Sequence, residues 1–232
     1  MQQQPSNSSN NNNNNNNTYP PFWTDPRLPW AVDMDGTLIA EDVTERALDI
    51  ALTDVRYWIY GVVALLLYYS GMFQITAYRI LERFVPVPPA TLTYHFALCQ
   101  ALQRHARRGG TVVLATASHV QAARKVAHYV ETMLSEQAAA AQQPDFLFDD
   151  VIGSHPPAVW DACGECKAHL IAARFGSSSR GGFVYAGNSA DDLHVWRHAA
   201  CVAMILVNCP PAVQKQAIQI GKPYVILEKN TK

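Results

Sequence analysis

Two aspartates separated by one residue form the candidate site with the clearest chemistry. Asp33 and Asp35 follow the apolar run Trp30–Val32 directly, within the segment Asp-Met-Asp-Gly-Thr. Carboxylates at positions i and i+2 project to the same side of an extended chain. Such a pair suits a hard cation such as Mg2+, and it can also divide the roles of nucleophile and proton donor. The alternative interpretation is a plain acidic turn, since Asp-Gly is a common turn dipeptide.

Three later segments carry side chains that would complement this pair. Thr116 ends an apolar run just before a helical pattern, and Lys167 lies at the start of another. A hydroxyl at a helix entry and a lysine ammonium both suit phosphate. Asn188 and Asp192 follow the apolar run Phe183–Ala186 and offer further oxygen ligands. Taken singly, these residues are also typical of a helix entry, a solvated charge and a turn, but their shared position at the ends of apolar runs favours one common site.

The apolar runs themselves predict strands that would bring these residues together. Five short runs rich in β-branched and apolar residues are Trp30–Val32, Thr111–Ala115, Phe148–Ile152, Phe183–Ala186 and Ala203–Val207. Helical patterns lie between most of them, and the one after the second run begins with a predicted capping box, Ser118-x-x-Gln121. Strands that alternate with helices predict an α/β fold with a doubly wound, mainly parallel sheet. In such a sheet the carboxyl ends of the strands border the ligand crevice.

Residues 40–108 interrupt this alternation, because they contain helical patterns without an intervening strand. They predict an all-helical insertion after the first strand. Residues 1–18 are rich in Asn and Gln and have no apolar face to bury, which predicts a disordered tail. The α/β core would then comprise residues 19–39 and 109–232.

Within the insertion, Tyr57–Tyr78 is long and apolar enough to raise the question of a membrane span. Its 22 residues carry no charge, and 17 of them are apolar or aromatic. The interruption at Ser70-Gly71 favours two short buried helices over one span, and a span would separate Asp33 from the later site residues. Its tyrosines and tryptophan are also typical of membrane interfaces, so peripheral contact with a lipid surface stays open.

The four ordered segments resemble the four motifs of the haloacid dehalogenase superfamily of phosphatases. The first motif, D-x-D-G-T, is matched in full at Asp33–Thr37. Thr116 matches the second motif and Lys167 the third, whereas the fourth carries Asn188 where an acid is expected. Three segments are also similar to the phosphatase-like domain found ahead of UbiA-type prenyltransferases: Leu114–Ser118, Tyr185–Trp196 and Ile205–Asn208. Phosphoserine phosphatases are more distant relatives.

This resemblance implies a mechanism and a set of ligands. Asp33 would attack phosphorus and form an aspartyl-phosphate, and Asp35 would protonate the leaving oxygen and then activate water. Thr116 and Lys167 would hold the phosphoryl oxygens. The ligands of Mg2+ would be Asp33, the carbonyl of Asp35, Asn188 and Asp192. Asp35 favours a phosphatase over a dehalogenase, which needs no leaving-group acid.

The same resemblance makes the helical insertion a cap that selects the substrate. The resemblance implies a small phosphorylated substrate, and the apolar character of the cap makes a lipid or prenyl phosphate one option. Asn188 implies a weaker Mg2+ site and leaves open a non-enzymatic binding or scaffolding module. Phosphotransfer to an acceptor other than water is a third function.

Charge and cysteine content narrow the class of protein further. The formal net charge of −1 over 232 residues gives no basic surface of the kind that nucleic-acid binders need. The five cysteines are an odd number and follow no secretory signal, which predicts free thiols in a reducing, cytoplasmic compartment.

Overall fold

The computed structural model describes residues 20–70, 74–137, 147–154, 162–175 and 181–228. The predicted tail, residues 1–18, lies outside these ranges, as does Gly71 of the predicted break in the apolar segment.

Six parallel strands form one sheet, which confirms the predicted doubly wound α/β fold. They are β1 (Trp30–Val32), β2 (Val112–His119), β3 (Asp150–Ser154), β4 (Phe183–Gly187), β5 (Cys201–Val207) and β6 (Tyr224–Leu227). Their order is β3-β2-β1-β4-β5-β6, so β1 lies in the middle and pairs with β2 on one side and β4 on the other. The chain therefore changes direction across the sheet at β1, where sheets of this kind leave a crevice beyond the strand ends.

Eight α-helices are defined in the described residues. They are α1 (Val43–Thr53), α2 (Trp58–Tyr69), α3 (Gln74–Phe84), α4 (Phe96–Arg107), α5 (Val120–Gln137), α6 (Gly164–Phe175), α7 (Asp192–Arg197) and α8 (Pro211–Gln219). The sequence analysis did not predict α8 and β6. It also ended β2 too early, because β2 continues through Ser118 to His119.

Helices cover both faces of the sheet and bury an apolar layer on each. On one face Leu102 of α4 and Val130 of α5 pack with Val32 and Leu114 of the central strands. On the other face α6, α7 and α8 contribute Ile171, Trp196 and Val213. The continuous burial of β1 and β4 is typical of strands covered on both faces. These two layers fix the carboxyl ends of β1, β2 and β4 relative to one another.

Helices α1, α2 and α3 form a separate helical unit with its own small core. Ala47, Ala64, Ala77 and Leu81 are buried together there, away from the two layers of the sheet. Helix α4 belongs to the sheet layer instead. Within the predicted insertion of residues 40–108, α4 thus packs on the sheet, whereas α1, α2 and α3 pack on one another.

Helix α2 presents an exposed face made only of apolar and aromatic residues. Trp58 is 52% exposed, Leu66 is 68% exposed and Tyr69 is 81% exposed. The helix ends at Tyr69, next to the break predicted at Ser70. Among the described residues, every helix is too short or too polar to traverse a lipid bilayer.

Candidate active site

Asp33 lies at the carboxyl end of β1 and is the centre of the candidate site. Its main-chain N–H donates to the carbonyl of Ala186 in β4, at 2.9 Å. Its carboxylate Oδ1 accepts a hydrogen bond from Lys167 Nζ at 2.8 Å. Its other oxygen, Oδ2, lies 3.3 Å from the hydroxyl of Thr37. The sheet thus fixes the main chain, and two side chains from different elements orient the carboxylate.

Lys167 projects from the first turns of α6 into the same crevice and is only 4% exposed. Its ammonium lies 2.8 Å from Asp33 and 3.7 Å from Asp192. Burial by itself lowers the pKa of Lys167, but the negative charges of the two aspartates outweigh burial and raise this pKa above the ordinary lysine value. The lysine therefore stays charged and supplies a fixed positive charge in a buried site.

Burial also raises the pKa of Asp33, and the charges of Asp192 and Asp35 add to that effect. The Lys167 ammonium works in the opposite direction and favours the carboxylate. The structure therefore joins Asp33 and Lys167, the first and third sequence-predicted site residues, in one buried ion pair.

Asp35 points into the same region, but its carboxylate is held by a different set of donors. Oδ1 accepts from the main-chain N–H of Val43 at 2.9 Å. Oδ2 accepts from Ser118 Oγ at 2.7 Å and from Thr116 Oγ1 at 3.2 Å. Burial, reinforced by the negative charge of Asp42, raises the pKa of Asp35 to about 6. A carboxyl group with this pKa exists in both protonation states close to neutral pH, as a group that gives and takes a proton must.

The predicted helix cap at Ser118 is wrong. Ser118 belongs to β2, and its hydroxyl donates to Asp35 rather than accepting from a main-chain N–H at the start of α5. His119 caps α5 instead, because its ring Nδ1 accepts from the main-chain N–H of Gln121 at 3.1 Å. Ser118 is thus a site residue that the sequence analysis assigned to helix capping.

Thr116 is brought to the site, but not as an open phosphate ligand. It is fully buried, its hydroxyl donates to Asp35, and it accepts from the N–H of Ser118 at 3.0 Å. Ala117 and Ser118 are the residues of this strand end that line the cavity. The side chain of Thr116 therefore positions Asp35 in this structure.

The fourth predicted segment contributes two residues with different environments. Asp192 is fully buried, and its Oδ2 accepts from the main-chain N–H groups of Asn188 and Ser189 at 2.8 and 2.9 Å. Its Oδ1 accepts from the hydroxyl of Tyr185 at 2.7 Å. Since both oxygens are engaged within the protein, Asp192 shapes the loop that carries Asn188, and the structure does not present it as a direct metal ligand.

The oxygens that could hold a cation come from Asp33 and Asn188. Thr37 Oγ1 lies 3.3 Å from Asp33 Oδ2 and 3.1 Å from Asn188 Oδ1, so the same hydroxyl holds these two oxygens near each other. Carboxylate and amide oxygens are the donors that Mg2+ accepts. Within the described ranges, no group of three or more His, Cys, Asp or Glu side chains is arranged around a metal position. A cation here would therefore need main-chain oxygen and water as well, and the donor set fits Mg2+ with few protein ligands.

Gly36 allows the Asn188 side chain to approach the loop that follows β1. Its φ of +73° is a conformation that residues with a side chain rarely adopt. A Cβ at this position would lie 2.1 Å from Asn188 Nδ2. The glycine of the D-x-D-G-T segment is thus required both by the turn and by the close contact with Asn188.

One cavity of about 880 Å3 connects these residues to the helical unit. Asp33, Asp35, Lys167 and Asn188 line its floor at the strand ends. Its opposite wall comes from residues of α1, α2 and α3, which are Thr44, Glu45, Leu48, Ala64, Leu65, Tyr68, Tyr69, Ala77, Tyr78, Arg79, Leu81 and Glu82. The helical unit therefore covers the carboxylate pair and leaves room for a ligand between.

Glu82 of α3 is a second residue that the sequence analysis missed. It accepts hydrogen bonds from the Thr44 hydroxyl and from the main-chain N–H of His119. Burial raises the pKa of Glu82, and the hydrogen bonds to its carboxylate oppose this effect. Its spacing of four residues from Tyr78 places the two side chains on one face of α3, but only the structure shows that this face lines the cavity.

Comparison with known proteins agrees with this architecture. A sequence family described as haloacid dehalogenase-like hydrolase matches residues 31–197. No curated protein sequence matches the chain.

Solved structures with the same fold include three from bacteria. A haloacid dehalogenase-like family hydrolase from Streptococcus pneumoniae is 13% identical, with 86% of this chain and 93% of that chain covered and a TM-score of 0.54. A protein titled a predicted phosphatase, from Clostridium acetobutylicum, is 14% identical, with coverage of 86% and 93% and a TM-score of 0.54. A probable phosphoserine phosphatase from Vibrio cholerae is 15% identical, with coverage of 87% and 61% and a TM-score of 0.53. At these identities the likeness shows a shared fold.

Proposed function

Because this chain belongs to the haloacid dehalogenase-like hydrolase family, we propose that it is a Mg2+-dependent phosphatase that hydrolyses a phosphate monoester through an aspartyl-phosphate. The observation that carries the proposal is the buried pair of Asp33 and Lys167, with Asp35 beside it, at the floor of one cavity. A family hydrolase needs a nucleophile, a proton donor and a fixed positive charge for the transferred group. These three side chains supply them.

In the first step, Asp33 attacks phosphorus, and the bond between phosphorus and the ester oxygen breaks. The Lys167 ammonium is already within hydrogen-bond distance of Asp33, so it lies where negative charge moves from the carboxylate to the phosphoryl oxygens. Asp35 gives its proton to the departing oxygen, which leaves as an alcohol. The raised pKa of Asp35, about 6, keeps a useful fraction protonated at neutral pH.

In the second step, the ionised Asp35 accepts a proton from a water molecule that attacks the aspartyl-phosphate. Inorganic phosphate leaves, and both aspartates return to their starting states. Ser118 and the N–H of Val43 hold the two oxygens of Asp35 in place through hydrogen bonds of 2.7 and 2.9 Å. This fixed orientation supports one residue acting first as acid and then as base.

The metal would bind at the oxygens of Asp33 and Asn188, together with the main-chain carbonyl of Asp35 that the family resemblance implies. When bound, Mg2+ supplies positive charge that offsets the charge of the phosphoryl group and the Asp33 carboxylate. Asp192 supports this arrangement indirectly, because it fixes the main chain of Asn188. The finer kinship with the domain that precedes UbiA-type prenyltransferases is a proposal supported by the motif segments alone.

Substitution of the nucleophile tests the proposed function. Asp33→Asn should reduce Mg2+-dependent hydrolysis of p-nitrophenyl phosphate by about 1000-fold or more, because an amide cannot form the phospho-intermediate. The matched control is Asp49→Asn, which changes an exposed aspartate of α1. Incorporation of 32P into wild type but not into Asp33→Asn identifies the acceptor. Hydrolysis at the wild-type rate in Asp33→Asn contradicts the nucleophile, and a product that carries phosphate on an added alcohol indicates phosphotransfer.

A further inference from the structure

The cavity wall opposite Asp33 is chemically unlike its floor. Helix α2 carries no charged residue, and it contributes Ala64, Leu65, Tyr68 and Tyr69 to the lining. Helices α1 and α3 add further apolar or aromatic residues to the same wall, which are Leu48, Ala77, Tyr78 and Leu81. The cavity therefore joins a charged end suited to phosphate with an apolar end suited to hydrocarbon.

Two tyrosine rings add aromatic surface to this wall. Tyr68 and Tyr78 both line the cavity, and their ring centroids lie 6.0 Å apart. The rings extend the surface that the apolar side chains of the wall offer to a ligand. A polar organic group placed against Leu65 would lose hydrogen bonds to water and gain none in return, which is unfavourable.

Two acidic residues near the wall, Asp42 and Glu82, are engaged within the protein. Asp42 caps α1 through the N–H groups of Thr44 and Glu45, at 2.7 and 3.0 Å. Glu82 accepts from the Thr44 hydroxyl and from a main-chain N–H of β2. These carboxylates are satisfied by internal donors, so they do not call for a cationic group on the substrate. Glu45 and Arg79 are two further charged residues, of opposite sign, that also line this wall.

The volume of the cavity sets the size of the organic group. At about 880 Å3 it lies in the upper part of the range of roughly 300–1000 Å3 in which proteins enclose whole organic ligands. A phosphate group alone leaves most of this space to the rest of the molecule. We infer that the substrate is a phosphate monoester of an extended apolar alcohol, whose hydrocarbon or aryl group lies against α2 and α3.

This inference rests on the proposed phosphatase activity and concerns its choice of ester. The decisive comparison is kcat/KM for octyl phosphate and 1-naphthyl phosphate against glycerol 3-phosphate and phosphoserine, with p-nitrophenyl phosphate as the reference for activity. The apolar esters should be preferred by about tenfold or more, since each methylene in an apolar pocket contributes measurably to specificity. Equal or higher kcat/KM for the hydrophilic esters overturns the proposed substrate class but does not contradict the proposed phosphatase activity. If none of the esters is turned over in an Asp33-dependent way, both the substrate class and the proposed phosphatase activity are overturned.

A pair of neighbouring leucines on α2 tests whether the wall itself is responsible. Leu65→Asn places an amide on the lining and should lower the ratio of kcat/KM for octyl phosphate to that for p-nitrophenyl phosphate by about tenfold. Leu66→Asn is the matched control, because Leu66 is 68% exposed and lies outside the lining. Both substrates are measured on one preparation, so the ratio does not depend on the fraction that is folded. An unchanged ratio in Leu65→Asn, or an equal fall in Leu66→Asn, contradicts the proposed wall.

The same apolar ester could be free in solution or held in a bilayer, and one further measurement separates these sources. Dodecyl phosphate is supplied below its micelle concentration and, separately, within phosphatidylcholine vesicles. Faster turnover in solution identifies a free ester, and faster turnover on vesicles identifies a bilayer-held one. Absence of turnover in both forms, beside active hydrolysis of p-nitrophenyl phosphate, counts against the proposal.

Discussion

At the scale of single residues, the site depends on which oxygens are free and which are already engaged. Both carboxylate oxygens of Asp192 accept hydrogen bonds, one from the Tyr185 hydroxyl and the other from the main-chain N–H of Asn188. The Thr37 hydroxyl lies within hydrogen-bond distance of both Asn188 Oδ1 and Asp33 Oδ2. The amide at position 188 therefore occupies the place where a further negative charge would strengthen cation binding.

The substitution Asn188→Asp should tighten Mg2+ binding by about tenfold, because a carboxylate in place of an amide adds a charged ligand at nearly unchanged size. Isothermal titration of the metal-free protein with Mg2+ measures this directly and does not require turnover. Ser189→Asp serves as the control, since it adds the same charge on the neighbouring residue of the same loop. Equal affinity in wild type and Asn188→Asp would show that position 188 does not hold the metal.

At the scale of elements, Glu82 is one of the buried carboxylates that attach the helical unit to the core, beside Asp35. Glu82 on α3 accepts from Thr44 of α1 with one oxygen and from the N–H of His119, at the end of β2, with the other. His119 also caps α5. The contact therefore links three segments of chain at the edge of the cavity.

Glu82→Gln should loosen this attachment. Glutamine keeps one acceptor oxygen but turns an NH2 group toward the second donor, and an unsatisfied buried group costs about 1–3 kcal/mol. Amide hydrogen exchange in α1, α2 and α3 should become faster while exchange in the sheet stays slow, since the loss is local. The control is Glu136→Gln at the exposed end of α5. Similar exchange profiles for the two variants would contradict the role given to Glu82.

The parts of the fold that the sequence predicted well are those whose signals are local. The run Trp30–Val32 is β1 to the residue, and the D-x-D-G-T segment follows it as expected. The role of Ser118 was hidden because its partner, Asp35, lies 83 residues away in the chain. The sequence around Ser118 matches a capping box, so its local pattern predicted a helix cap. In the fold, the hydrogen bond to Asp35 determines the role of Ser118 instead. A helical pattern also does not say which apolar surface a helix covers, so the sequence did not distinguish α4, which packs on the sheet, from α1, α2 and α3.

At the scale of the whole molecule, the candidate site is a concentration of buried charge in an otherwise apolar core. Burial raises the pKa of Asp33, of Asp35 and of Glu82, so each resists ionisation in the folded protein. Groups arranged for chemistry rather than for stability commonly lower the free energy of unfolding. Burial lowers the pKa of His105 to about 4. Because the unfolded chain binds this proton more tightly, His105 stabilises the folded state more as pH rises. The free energy of unfolding of the wild type therefore depends on pH through opposing contributions from these groups. A single substitution can separate one of them.

The substitution Asp35→Asn isolates the contribution of one buried acid to the free energy of unfolding. His105 is present in both proteins, so its contribution cancels when the two are compared. The pKa of Asp35 is about 6 in the folded state and near 3.8 for a model aspartate. The folded protein thus binds the proton more tightly, and the wild type loses stability as pH rises from about 4 to above 6. Asparagine does not titrate, so the free energy of unfolding of the variant relative to wild type should increase by about 2 kcal/mol between pH 4.5 and 7.5. Urea denaturation with a chelator present measures both proteins at each pH, and Asp49→Asn, on the exposed surface of α1, is the control that should show no such change. The free energies of unfolding of Asp35→Asn and wild type could instead differ by the same amount at both pH values. Asp35 would then ionise normally in the folded protein, and its role as the proton donor would lose its physical basis.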